Sequence, residues 1–188
     1  MSSVMAKLFI LSQRILMRGL MPKKVRAVYY DTNVFIEASL GEGEPGDDSR
    51  FALSLAEQNI VVCVGSTAIK RELGFTHDSG LRRLLLSAYE SIAHIQVSVR
   101  RDTRRVAHKY TEDMGVKGMD ALHLALASLG RADVFLSWNR EDIVKATTIE
   151  ALRKINRSLR IPTPEIMTPS EFRERIRYSI PRRTVILC

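Results

Sequence analysis

Cysteine is nearly missing from this chain: Cys63 and Cys188 are the two among 188 residues. Such a pair forms neither a disulfide framework nor a metal-ligand spacing, which excludes a disulfide-stapled secreted scaffold and points to a reducing cytoplasm. Cys63, inside "VVCVG", reads as a small buried hydrophobe. Long apolar runs are missing too. The N-terminal "LFIL" is broken by Ser12, Gln13 and Arg14, too early for a signal-peptide core and far too short for a membrane span. There is no internal repeat, no low-complexity tract and no second composition regime that would mark an interdomain linker. With 45% hydrophobic residues, one well-packed domain is expected.

Acidic residues are absent from positions 1–27, where six basic side chains contribute +6 of the net +8. From 171 onward five arginines against Glu171 and Glu174 add +3, so 28–170 carries a net −1. The basic character therefore belongs to the ends, and charge alone is compatible with an RNA-brushing tail, an anionic-membrane contact or a solvated face. Residues 1–24 form a basic extension. Leu8, Leu11, Ile15 and Leu16 would line one side of a short amphipathic helix there, with a stable membrane contact not expected. A start at Met17 or Met21 is the alternative, because domain-like patterning begins near Val25. The domain is expected over 25–172, followed by a basic tail, 173–188.

Short β-branched runs alternate with longer helical patterns. Residues 25–30, 60–65, 94–99 and 133–137 are near-continuous apolar runs of the type expected for strands covered on both faces. Helical patterns occupy 50–58, 66–73, 80–92, 102–114 and 119–130, with "GFTHDSG" separating two of them. "GEGEPGDDS", 41–49, reads as a mobile acidic loop, and the "EIM" in 165–167 as an edge strand leading to a helix cap. The alternation predicts an α/β fold with a mostly parallel sheet.

In open parallel sheets the ligand site lies beyond the carboxyl ends of the strands, at the switch point of strand order. Asp31 ends the first strand in "YYDTNVF"; Ser137, Trp138 and Asn139 follow "DVFL"; Asp120 opens "DALHLALA"; Glu72 sits in the helix after the second strand. Singly, each has an ordinary role: Asp31 a turn residue, Asp120 a helix cap, Glu72 a solvated helix residue, His123 a core histidine. Their conjunction carries the weight. Carboxylates held close in a partly dry cleft require a compensating cation, and hard Mg²⁺ or Mn²⁺ prefers oxygen ligands. Such a site can activate water against a phosphodiester and neutralise the leaving oxygen.

At these residues the sequence resembles PIN-domain ribonucleases of the kind found in VapC-type toxins. "VYYDTNVFIEA", "TAIKRELGF", "GMDALHLALASLGRADVFLSWN" and "PEIMTPSEF" carry the likeness. The resemblance implies a three-layer PIN-like fold, a parallel sheet of four to five strands with helices on both faces, and Mg²⁺- or Mn²⁺-dependent cleavage of RNA. It makes Asp31, Glu72 and Asp120 the acidic positions, with the metal held chiefly by Asp31 and Asp120 and by Glu72 directly or through water. Ser137 and Asn139 match the fourth position, where many relatives place Asp; Asn139 would be a neutral ligand, with Asp142 as a compensating group. Asn33 would orient Asp31. Arg71, Arg140 and Trp138 are candidate substrate contacts, the tryptophan by stacking or otherwise as a packing residue. By the same resemblance an antitoxin protein and a homodimer are expected partners. Two other readings stay open: a PIN fold weakened by Asn139 into an RNA- or partner-binding module, and a phosphatase using Asp31, for which Asn33 occupies the place of the second acid.

Overall fold

Tyr29 and Tyr30 show how the chain builds its layers, because successive side chains of a strand point to opposite faces of the sheet. In the computed structural model, which describes residues 26–179, Tyr29 stacks on Phe135 while Tyr30 packs edge-on against Phe35. The expectations for 1–24 and for the end of the basic tail lie outside the described residues.

Five strands, Ala27–Tyr30 (β1), Val62–Ser66 (β2), Ala93–Val97 (β3), Val134–Leu136 (β4) and Glu165–Met167 (β5), form one parallel sheet in the order β3-β2-β1-β4-β5. Eight helices connect and cover them: Thr32–Leu40 (α1), Gly43–Glu57 (α2), Thr67–Gly74 (α3), Ser79–Ile92 (α4), Arg101–Met114 (α5), Gly118–Leu129 (α6), Ala146–Leu159 (α7) and Pro169–Ser179 (α8). Helices α1, α2, α4 and α8 pack together on the Tyr30 side, while α5, α6 and α7 pack together on the Tyr29 side. Helix α3 touches both α4 and α6. This is an α/β fold of three layers, consistent with the expected PIN-like arrangement. None of these helices is long and apolar enough to cross a membrane.

Local chemistry sets the helix starts. Asp31, Ser66 and Asp78 cap α1, α3 and α4 by accepting from Thr32, Ile69 and Leu81 N–H. Thr168 and Glu171 exchange side-chain and backbone bonds at the start of α8, with Pro169 in its first turn. Helix α8 runs on past residue 172: Ile176 is buried, and Arg173 pairs with buried Asp48 at 2.7 Å.

The structure corrects the sequence reading in several places. Residues 43–49, expected as part of a mobile acidic loop, are the first turns of α2. Gly43 takes a positive φ, and Gly46 serves close packing: a Cβ there would stand 2.1 Å from the Gly41 carbonyl oxygen, so only glycine lets α2 approach the end of α1. Pro45 lies in the first turn, where no intrahelical N–H is needed. Helices α1 and α7 were not foreseen. Strand β3 is not covered on both faces, for it lies at the sheet edge with His94, Ile95 and Gln96 exposed.

Candidate functional site

Strand order runs outward from β1 in both directions, first through β2 to β3 and then from β4 to β5, so the switch point is the β1/β4 boundary. The register there is Tyr29 opposite Phe135 and Tyr30 opposite Leu136. The next residues along, Asp31 and Ser137, therefore leave the sheet side by side at its carboxyl edge. Asp31 N–H still donates to the Leu136 carbonyl at 2.9 Å, which fixes the level at which both side chains emerge.

Asp31 is buried, and its carboxylate is held by three donors. Thr32 N–H donates to Oδ1 at 2.8 Å, while Asn33 Nδ2 and Ser137 Oγ donate to Oδ2 at 2.9 and 2.7 Å. Three donors to one carboxylate fix its rotamer. The donors are themselves held. Asn33 also donates to Ser137 Oγ and accepts from Trp138 N–H, and Asn139 N–H donates to Ser137 Oγ. Asp31 is thus oriented by one connected network spanning the ends of β1 and β4.

Asp120, in the first turn of α6, receives a bond from Asn139 Nδ2 at 3.1 Å. Burial, then the negative charges of Asp31 and Asp142, raise its pKa above the ordinary carboxylate value against the opposing pull of His123 and Lys117. Asp142 is bridged by Lys117 at 3.2 Å at the rim. The Asn139 side-chain oxygen is occupied: it accepts Asp142 N–H at 3.0 Å and so closes the turn after β4. Asn139 acts here as a brace between that turn and Asp120.

Glu72 belongs to a second network on the same side of the sheet. Its Oε2 receives Thr32 Oγ1, in a short bond, and His123 Nε2 at 2.7 Å. Buried His123 reaches the Tyr29 hydroxyl through Nδ1 at 2.7 Å, and that hydroxyl meets Ser66 Oγ at 2.8 Å. Burial pushes the Glu72 carboxyl up, but the bond and charge of His123 and the Thr32 hydroxyl outweigh it and hold the pKa below the ordinary value. Burial alone would lower the pKa of His123; its bond to Glu72 and the charges of Asp31, Glu72 and Asp120 raise it instead. Both shifts favour the charged form of the pair, which is completed by a tyrosine hydroxyl whose own pKa burial raises well above 10.0.

The three carboxylates lie at one end of the sheet but in unequal states. Asp31 and Asp120 repel each other with no ion-pair partner among the described residues, whereas Glu72 has His123. An all-oxygen pair with uncompensated charge fits a hard divalent cation. His123 and Thr32 engage Oε2 of Glu72, and Asp142 N–H engages the Asn139 carbonyl oxygen. Accordingly, among the described residues, no group of three or more His, Cys, Asp or Glu side chains is arranged to hold a metal ion.

Of the candidate substrate contacts, Arg71 and Arg140 are exposed. Trp138 is half-buried, packs against the core and donates its indole N–H to Ser49 Oγ at 2.8 Å, so its polar edge faces α2. Sequence reasoning missed Thr32 as a partner of Glu72, and Tyr29 and Ser66 behind His123. One signal was available: Tyr29 stands two residues before Asp31 in the extended backbone that runs from β1 into the cap of α1, so the two side chains leave it on the same side. Compared with protein-family models, with curated proteins and with solved structures, the chain has no match in any of the three.

Proposed function

We propose that the protein is a metal-dependent endoribonuclease of PIN type that hydrolyses RNA phosphodiesters at Asp31 and Asp120. The observation that carries this reading is the charge imbalance at the switch point. Buried Asp31 is held in one orientation by three donors, and its charge adds to burial in raising the pKa of Asp120, which has no ion-pair partner among the described residues. Such a pair is unstable on its own and is relieved by Mg²⁺ or Mn²⁺. A bound divalent cation supplies charge neutralisation at a phosphate and acidifies water at neutral pH. Within the chain, Asn33 and Ser137 orient Asp31, Asn139 orients Asp120, and the His123–Glu72 pair forms the charged wall beside them.

A free, buried Cys63, whose thiol burial pushes up to about 12, supports a reducing compartment such as the cytoplasm. A toxin role, an antitoxin partner and a homodimer rest on the sequence resemblance.

The engagement of Glu72 and Asn139 favours a second reading, a PIN-like RNA- or partner-binding module without useful activity. The two separate in one experiment. Purified protein is incubated with single-stranded and structured RNAs in Mg²⁺, Mn²⁺ or EDTA, beside Asp31→Asn and Asp120→Asn. The nuclease reading expects cleavage that needs metal and disappears in both variants. RNA left intact by folded wild type, with no Mn²⁺ affinity, overturns it in favour of the binding module.

A further inference from the structure

Glu72 has a second neighbourhood. It forms one wall of a groove of about 490 Å³ between α3, α5 and α6, lined otherwise by Arg71, Phe75, Arg104, Met119 and Leu122 among others. Two of these side chains are large, apolar and open to solvent, Phe75 at 67% and Met119 at 44% exposure, which is unusual for residues beside a charged cluster. Phe75 is tied to the site through the backbone: it caps α3, and its N–H donates to the Glu72 carbonyl at 3.0 Å. The Arg71 guanidinium lies over its ring, 5.5 Å from the centroid. Arg104 is exposed and has no ion-pair partner among the described residues.

We propose that this groove is a base-binding subsite receiving one unpaired nucleotide of the strand whose phosphate lies at Asp31 and Asp120; the placement rests on the nuclease reading. The occupant follows from the chemistry of the walls. A flat aromatic ring and a guanidinium plane offer stacking surfaces for a base of any sequence, while Met119 and Leu122 supply an apolar side. Arg104 and Arg71 offer positive charge to the phosphates flanking that base. The volume lies in the range of small-molecule sites, enough for one nucleotide and too small for a duplex. Glu72 belongs to both the groove and the carboxylate cluster, so a strand can occupy the two without a gap. The subsite positions the strand but takes no part in bond breaking.

The test measures binding apart from cleavage. Full-length Asp31→Asn protein is titrated in EDTA into fluorescent single-stranded RNA oligomers that carry one abasic position moved stepwise along the strand. In the Phe75 background, one position is expected to weaken binding about five- to hundredfold when its base is removed. In Phe75→Ala the same abasic substitution is expected to cost little, Phe75→Trp restores the effect, and Arg104→Ala lowers the salt dependence by about one phosphate contact. Both side chains are exposed, so these variants keep the core intact. An abasic penalty unchanged in Phe75→Ala, or an RNA affinity indifferent to Phe75 and Arg104, overturns the subsite; the latter is the result expected if a protein partner fills the groove.

Cleavage by otherwise wild-type protein is scored separately. Metal-dependent cleavage with KM unmoved by Phe75→Ala refutes the subsite and leaves the nuclease intact. Coupling between Phe75 and one base without any cleavage supports the subsite and refutes the nuclease.

Discussion

Tyr29→Phe is the most informative single change, because it removes one oxygen from the site and almost nothing else. The ring stacks on Phe135 with centroids 5.3 Å apart and planes within 9°, and phenylalanine keeps that packing. What disappears is the hydroxyl between Ser66 Oγ and His123 Nδ1. Ser66 retains the Ile69 N–H bond, so its loss is the ordinary net value of a hydrogen bond, about 0.5–1.5 kcal/mol. His123 fares worse: it is buried and loses the partner of Nδ1, at about 1–3 kcal/mol for an unsatisfied group. The sum, about 1.5–4.5 kcal/mol, corresponds to a Tm lower by roughly 3–18 °C for a domain of this size. Urea denaturation at neutral pH measures it, with an unchanged m-value showing that the folded state keeps its extent. A loss below about 0.5 kcal/mol would mean that the hydroxyl does not hold His123, and the argument that strand β1 positions Glu72 through His123 would fail.

Asp120→Asn should stabilise the metal-free protein while abolishing metal-dependent activity. A raised acid pKa means that the folded state binds the proton more tightly than the unfolded chain, so the charged carboxylate costs stability at neutral pH and nothing well below 3.8. Thermal melts in EDTA should show the gain at pH 7 and its disappearance as the pH falls through that value; a variant less stable than wild type at pH 7 contradicts the repulsion argument. Glu72→Gln bears on the other network. The raised pKa of His123 contributes stability that is fully present below 6.5 and is lost as pH rises through the folded value, and the lowered pKa of Glu72 contributes stability that is lost as pH falls through its own folded value below 4.5. The variant should flatten both slopes in melts across that range, and slopes identical to wild type would show that the pair is not the source. Asn139→Asp replaces the donor to Asp120 with a like charge, costing the metal-free protein about 1–3 kcal/mol in lost bonding and repulsion. Mn²⁺ should recover more Tm in this variant than in wild type; equal recovery would show that the residue does not face the cation.

The sheet and most of its connections were legible because burial leaves a direct record in sequence. Strands covered on both faces are continuous apolar runs, and "VYY", "VCVG" and "VFL" read as such. The failures also have physical causes. Gly41, Gly43 and Gly46 have the composition of a loop, yet Gly41 and Gly46 serve close approach and Gly43 a positive φ where α1 meets α2. The β3 run looked interior, but its place at the edge depends on strand order, which no local pattern encodes. Asp31, Glu72 and Asp120 were named from their conjunction and from the motifs that carry the resemblance, because each one singly has an ordinary turn, cap or surface role. Their charge states could not be named. Whether a carboxylate is compensated depends on partners distant in sequence: His123 for Glu72, 51 residues away, and Ser137 for Asp31, 106 residues away. Residue order alone determined that acids gather at the carboxyl edge of a parallel sheet. Only the packing of α6 against that edge and the register of β1 with β4 decided which acid is neutralised, because electrostatic energy depends on distance and burial in space.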